Sequence, residues 1–592
     1  MKKLLKLLMV IALSLTLFTG CGDDGEVPVI LGEGWDEGRV YNAFALAATF
    51  TLVFDAWGNW HSDNVQPWGT GVSTNSARFV HAENDRIIEM MRTSNPVTEE
   101  GRARYQHYYL EWVRLMNYYL PEIPLYANDI HDLFNAALQN FDTSPLWRWT
   151  DAIVEAYLTP EFAEASDNTF VVGNENMPGD FIRGWGNAGV DANVRRLVTG
   201  GGLLTYDRNL EMQLNFMTES MVVSEDQSVW TFTLRQDIVF SDGVPMTAHD
   251  VAFTFRFFNH PSLIRAAGSA AWQNRTLRGF QDFFDSWEFN EDTGLYEGGD
   301  YDLLGVTVLD DFTIQFEFDT VLFGTWTIFD DVHIMPKHYY APDGVIDVVW
   351  VRENIVSAPR GAGPFAYVEF EHGQFIRLVR NDYFPGSFYG YTPSIENLII
   401  RVVPPATDID QLLAGDVDLL AGVIEGTRIE AGRAADHIAF NNFPRHGYGY
   451  IRFHTDVGAA QFVEFRQAFA HALDRYTFNL DFIGGWGTIQ DGPFSLNYWM
   501  IDQEWVDANL LSWPFDPAAA RALLEDAGWE MDEHGIYTRD GYRAVVNLAA
   551  GTPAWADSLN LFAANMIEES GIQLIVHAID FAVLLDHFNG NP

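Results

Sequence analysis

The sequence predicts an α/β chain of more than one lobe. Its 592 residues are 48% hydrophobic and 15% aromatic, enough for two or three sizeable cores. Short runs with period-two alternation, such as Val229–Leu234 (VWTFTL), stand among longer segments whose apolar residues recur at spacings of three and four. The two kinds of segment mix without one strict alternation, so the pattern alone leaves an α+β layout open beside α/β.

The chain opens with Lys2, Lys3 and Lys6, followed by an apolar stretch at 7–18 that is short for a membrane span, the pattern of a secretory signal. It stops at residues 17–21 (LFTGC), where small residues precede the sole cysteine. That ending resembles a bacterial lipobox with Phe18 where Leu is usual, and implies that Cys21 becomes the lipidated first residue of a membrane-anchored protein. A plain secretory signal with an incidental cysteine is the other reading. One cysteine excludes an intrachain disulfide. Residues 22–39 read as a tether, and from Val40 the sequence is dense. Residues 50–57 (FTLVFDAW) read as a strand and Glu99–Tyr119 as a helix, broken by prolines at 121 and 124. Thr247 is placed to cap a helix from Ala248 to Phe258, and Asp310-Asp311 to turn a hairpin. Amphipathic segments at 465–478 and 517–527 follow, the second stopped by Gly528.

The formal charge of −47 is spread along the chain, which argues against nucleic acid as a partner, since binding it needs clustered positive charge. Past the signal only Lys337 is a lysine. Such a surface suits solubility outside the cell.

Seven segments in one order carry a family resemblance. They are residues 230–258 (WTFTLRQDIVFSDGVPMTAHDVAFTFRFF), 334–340 (IMPKHYY), 361–384 (GAGPFAYVEFEHGQFIRLVRNDYF), 412–422 (LLAGDVDLLAG), 465–475 (FRQAFAHALDR), 515–529 (FDPAAARALLEDAGW) and 566–576 (MIEESGIQLIV). Together they resemble the extracellular solute-binding proteins of dipeptide, oligopeptide and nickel ABC importers. The resemblance implies a two-lobed periplasmic-binding-protein fold of the type II, large peptide-binding class. It also implies a peptide-like small solute held between the lobes, delivery to ABC importer permease subunits, a monomeric protein, and no catalysis, cofactor or metal.

The order of the text is unusual for that family. Its usual opening, a strand and a glycine-rich turn, stands at 169–174 (TFVVGN) and 197–207 (LVTGGGLLTYD), whereas its usual closing text stands near the amino end, at 50–58, 83–91 and 99–126. Joining the chain's end to residue 40 regenerates one member, so the sequence reads as a circular permutant. A recombined gene whose halves do not complete each other is the alternative. Permutation is tolerated where old termini are close and new ones fall on exposed loops. On this reading residues 127–445 form lobe I, and residues 40–126 with 446–592 form lobe II. The crossings between lobes are expected near 124–128 and 443–451, with 150–170 a surface connection and 50–57 in the same lobe as 574–577.

Residues 184–189 (GWGNAG) match G-x-G-x-x-G, but the nearest strand ends more than ten residues upstream, so a dinucleotide site is not supported and a loop at the cleft edge is expected. The histidines lack metal-ligand spacing, and no G-x-S-x-G or HExxH occurs. A secreted hydrolase and a ligand-presenting sensor remain as alternative readings of an anchored extracellular protein. Binding between lobes needs aromatic walls and a few polar anchors. In peptide-binding relatives the segment after DAWG carries an aspartate for the ligand's amino terminus; here Trp57 is followed by Asn59 and Trp60, with Asp63 three places on. Either Asp63 substitutes or the ligand lacks an amine at that point. Tyr448, Tyr450 and Trp486 are further wall candidates. Core packing is the competing reading of each aromatic.

Overall fold

The computed structural model describes residues 41–590 apart from 50–53, 69–71, 96–97, 146, 187, 209–210, 264–274, 292–294, 300 and 552. The signal, Cys21 and the tether lie outside the described residues. A single mixed sheet organises the molecule around one long strand, Glu122–Asn135. On one side its order runs Leu419–Val423, Thr169–Asn174, Asn397–Val402, Phe375–Arg380 and Phe365–Glu371; on the other, Gly447–Phe453, Ala43–Thr49, Val545–Ala550 and Gln573–Ala578. Ile438–Pro444 and Gly487–Thr488 also pair with the long strand.

The long strand changes partner in its middle. Residues 129–135 pair antiparallel with Ile438–Pro444, and residues 122–126 pair antiparallel with Gly447–Phe453. Between them the Asn128 carbonyl accepts from the Arg445 amide at 2.9 Å. Leu125 bulges where Pro124 faces Tyr450, consistent with a residue that has no amide hydrogen to give the ladder. Two connections therefore cross side by side, at 127–129 and 445–446.

Separate apolar cores lie to either side. One gathers buried residues from Phe134 to Leu419. The other is built from both ends of the chain: Ala43, Ala45, Leu120 and Ile123 share it with Phe465, Trp529, Leu548 and Leu574. A third cluster seats the helices Ala82–Arg92 and Glu99–Tyr119 on residues 494–506, with Trp60, Tyr109 and Trp112 interior.

Local expectations hold where the code is local. The helix Glu99–Tyr119 ends where Leu120 turns left-handed (φ 44°) before Pro121. Thr247 and Asp250 form a reciprocal capping box for Ala248–Asn259, and the 310–311 turn joins Val306–Asp310 to Thr313–Glu317.

Three expectations need correction. A strand near the amino end is Ala43–Thr49; of the expected 50–57 strand, residues 50–53 lie outside the described residues, 54–56 are not in a strand, and Trp57–Trp60 is a short helix. Ala43–Thr49 runs parallel to Val545–Ala550, one strand short of Gln573–Ala578. Its alanines, interrupted by Phe44 and Leu46, fit a central position that the more apolar 50–57 text obscured. The 465–478 segment is two helices, Val463–Ala472 and Arg475–Phe482, because the Asp474 carboxylate accepts from the Thr477 amide at 3.0 Å and restarts the chain. The 150–170 connection is superficial only in part: Pro160–Ala165 buries nothing, but Ala152 and Ile153 of Trp149–Glu155 are fully buried.

The far end of the chain lies against its described beginning. The Tyr41 ring is 5.1 Å from His587 and 5.4 Å from His577, Phe44 meets Phe588 at 5.6 Å, and the Ser73 amide donates to the Asn589 carbonyl at 2.9 Å.

Candidate functional site

Parallel strands present their carboxyl ends along one edge, where side chains and loops can converge on a ligand. Thr169–Asn174 is parallel to both Asn397–Val402 and Leu419–Val423, and Val545–Ala550 is parallel to Gln573–Ala578. The residues just past these ends enclose a cavity of about 260 Å³. Glu175 follows the first strand, Val403 and Asp408 the second, and Ile424, Glu425 and Arg428 the third. Trp555, on the helix after Val545–Ala550, supplies a wall from the opposite side of the crossing. The two sides touch nearby: a Cβ built on Gly426 would come within 2.5 Å of the Gly484 Cα, so this approach requires glycine.

The cavity's electrostatics favour cations. Arg428 donates to Glu425 Oε2 at 2.6 Å and to the Asp408 carboxylate; among the described residues it pairs with these two acids and acts on Glu175 only at longer range. Burial raises the Glu175 carboxyl above the usual range, and the nearby Glu425 adds to that; burial likewise raises Asp408, against the pull of Arg428. Behind the wall, the buried Tyr126 ring lies 5.8 Å from Trp555.

Of the residues singled out from sequence, Trp486 lies beside this cavity. It is half-buried, packs on the cluster that contains Val403, Leu420 and Val423, and is flanked by His131 (5.0 Å between rings) and the Arg433 guanidinium (4.9 Å). Its carbonyl accepts from the Asp129 amide at 2.9 Å, tying it to the crossing. The others do not line the cavity. Tyr448 and Tyr450 are buried on the Gly447–Phe453 strand; the Tyr448 hydroxyl donates to Glu122, whose carboxylate also takes Arg452 Nη2 at 2.6 Å. Arg452 lies 4.5 Å over Trp60, itself only 4% exposed, so Trp60 caps a buried ion pair instead of forming an open wall. Trp57 is half-buried against Arg92 and His61. Asn59 and Asp63 are exposed; Asp63 stands 3.6 Å from His61 Nδ1.

A further contact bridges the two sides. Phe323, from the chain region of the first core, stacks on Tyr105 (3.9 Å, 13°), and its amide donates to the Arg92 carbonyl at 2.9 Å. Sequence reasoning missed Phe323, Trp555 and the four charged cavity residues. The carboxyl-end rule applied to 169–174 and 419–423 points at the charged ones.

The long strand carries two adjacent groups with opposite titration. Asp132, buried, accepts from the Gly422 amide (2.8 Å) and the Thr143 hydroxyl (2.6 Å), and burial nonetheless raises its carboxyl to about 6. The fully buried His131 is lowered to about 4, by burial and then by Arg433. The folded state thus holds the Asp132 proton more tightly than the unfolded chain between pH 4 and 6, a contribution to stability that is lost as pH rises through 6. The neutral His131 contribution is lost as pH falls from 6.5 through 4. Asp132→Asn is expected to make the melting temperature climb more steeply with pH over this window than the wild type, and His131→Phe less steeply. Melting curves from pH 4 to 7 read both slopes, and parallel slopes in all three proteins contradict the assignment.

Among the described residues no group of His, Cys, Asp or Glu is arranged to hold a metal ion, and no helix is long and apolar enough to cross a membrane. The family model described as "Bacterial extracellular solute-binding proteins, family 5 Middle" matches residues 214–591. The oligopeptide-binding protein AppA of Bacillus subtilis is 23% identical over 397 residues, 65% of each chain, and heme-binding protein A of Haemophilus influenzae is 25% identical over 383, 62% of this chain and 63% of that one. The chain thus spans less than two thirds of the length of these curated relatives. Among solved structures, lactococcal OppA, complexed with an endogenous peptide in the closed conformation, gives a TM-score of 0.54 at 17% identity, covering 71% of this chain and 78% of that one. AppA from Bacillus subtilis in complex with a nonapeptide gives 0.53 at 19%, covering 71% and 76%. The fold is therefore two-lobed and α/β.

Proposed function

The chain belongs to the bacterial extracellular solute-binding proteins of family 5, and from that premise we propose that it captures a peptide-like small solute between its lobes and delivers it to an ABC importer. Relatives of this family are binding proteins, not enzymes. The observation that carries the reading is the cavity at the crossing, where residues past the carboxyl ends of three strands on one side meet Trp555 from the other. Its three acids against one arginine suit a ligand with a positive group, such as a peptide amine. That role compensates for the absence of an acid after DAWG, since Asp63 is exposed and turned to His61.

Lobe I comprises roughly 127–445 and lobe II 40–126 with 446–592. The partition of the apolar cores and the exchange of partners along Glu122–Asn135 support these bounds. The same observations favour the circularly permuted order. Ala43–Thr49 pairs between Gly447–Phe453 and Val545–Ala550, and Tyr41 neighbours His587. The solved relatives cover 71% of this chain, about the share that residues 169–592 make of it. Ligand drives closure by binding the closed form more tightly, and the Phe323 stack on Tyr105 is a contact between the two sides in the arrangement described.

Reversible binding tests the function directly: a peptide library should raise the melting temperature of the protein without being converted, and turnover to smaller products would favour a hydrolase. The lipid on Cys21 anchors the protein outside the cytoplasmic membrane. Cys21→Ser is expected to be exported yet recovered in the medium or soluble envelope fraction, because one lipid-bearing residue supplies the anchor. Retention of the variant in detergent-extractable membrane contradicts the anchor.

A further inference from the structure

A second, larger cavity of about 490 Å³ lies wholly within the first core's half and shares no lining residue with the one at the crossing. One face of the helix Ala248–Asn259 forms its floor, residues 302–308 one wall, and Lys337 with Ile346 the other. Its volume falls in the range of small-molecule sites. Ala252, Phe253, Val308 and Ile346 put hydrocarbon into the lining beside His249, Arg256, Asp302 and Thr307, and Leu304, 56% exposed, leaves hydrocarbon at the mouth.

The charges in this cavity do not balance. Arg256 is held bidentately by Asp302, Nε at 2.6 Å and Nη2 at 2.8 Å, and His249 Nε2 lies 3.6 Å from Asp311. Asp250 is occupied by the Thr247 amide and hydroxyl and by the Lys337 amide at 2.9 Å, which pins the Lys337 backbone over the helix's first turn. The Lys337 ammonium makes no hydrogen bond or ion pair among the described residues. In a chain of charge −47 whose other lysines all lie in the first six residues, one ammonium without an acid partner stands at a cavity that also presents Phe253, Leu304 and Ile346.

We propose that this cavity is a second binding site, for a small amphipathic carboxylate whose headgroup pairs with Lys337 and whose hydrocarbon lies on Phe253, Leu304 and Ile346. A single ammonium matches a monoanion, and the acidic surface disfavours polyanions. The apolar side chains at Phe253, Leu304 and Ile346 favour a ligand with a tail, because a bare anion would leave them wet.

The test uses octanoate and the exported protein. Amine-directed acylation by an N-hydroxysuccinimide ester, followed by peptide mapping, reads Lys337 directly. Octanoate is expected to slow Lys337 acylation saturably, at least several-fold, while acetate and inorganic phosphate at equal ionic strength do not. Octanoate affinity by calorimetry should fall at least tenfold in Lys337→Met, an exposed position whose change leaves the fold intact by circular dichroism. No protection, protection by phosphate as strong as by octanoate, or undiminished octanoate binding in Lys337→Met would each overturn the proposal. None of these readouts depends on the solute held at the crossing.

Discussion

Removing residues 33–126 is expected to abolish folding of residues 446–592, not merely to trim an appendage. The segment supplies Ala43–Thr49 to the middle of a sheet, so its loss leaves the facing edges of Gly447–Phe453 and Val545–Ala550 unpaired and apolar. It also supplies Tyr105, Tyr109, Trp112 and Met116, the interior against which Phe494, Tyr498 and Met500 pack. Hydrogen bonds repeat the dependence: Asn117 Nδ2 donates to the Asp491 and Leu511 carbonyls at 2.7 and 2.9 Å, and Arg475 Nη1 to the Pro124 carbonyl at 2.9 Å. A point version is Trp112→Ala, which empties a fully buried site and orphans the Asn84 oxygen that takes the indole proton at 3.1 Å. It should cost about 3–5 kcal/mol, read by denaturant unfolding. A truncated chain whose 446–592 region stays protease-resistant and retains native circular dichroism contradicts the two-ended lobe.

The second large effect is expected at the cavity's charges. Glu175→Gln with Glu425→Gln leaves Arg428 paired to Asp408 and removes the surplus negative charge. Peptides with a free amino terminus should bind about 10–100-fold more weakly, in keeping with loss of a partly desolvated charge pair. N-acetylated peptides should change little. Because the Glu175 carboxyl is raised, wild-type affinity for amine-bearing peptides should also weaken on acidification earlier than an ordinary glutamate would allow, and the double variant should lose that dependence. Equal losses for free and acetylated peptides would mean that the acids shape the cavity without meeting an amine. Calorimetry on both peptide series separates the two results.

How far the fold was legible in the sequence depended on the range of the signal. Val229–Leu234, Glu99–Tyr119 and the Thr247 cap are written in neighbouring residues, and all are found as read. Ala43–Thr49 was not, because its sequence (AFALAAT) is helix-like by propensity and becomes a strand only between two partners some 400 and 500 residues away. The site followed the same logic. Trp486 was legible as an aromatic in a glycine-rich loop, and the structure sets it beside the cavity. Trp60 was read as a wall because it follows the DAWG text, and Tyr448 and Tyr450 because they are aromatics on the crossing strand, yet all three are buried around the Glu122–Arg452 pair. Glu175, Asp408, Glu425 and Arg428 are common residues in an acidic chain, and only their positions after parallel strands distinguish them.

The central claim, that this protein binds a peptide-like solute between two lobes and returns it unchanged, is most directly tested by native mass spectrometry of the unheated protein. The account predicts a near-stoichiometric small peptide, released intact on denaturation, whose re-addition at about 100 times its Kd stabilises the emptied protein by about 2.7 kcal/mol. A protein that carries no solute, gains no stability from any peptide offered, or returns peptides cleaved would contradict it.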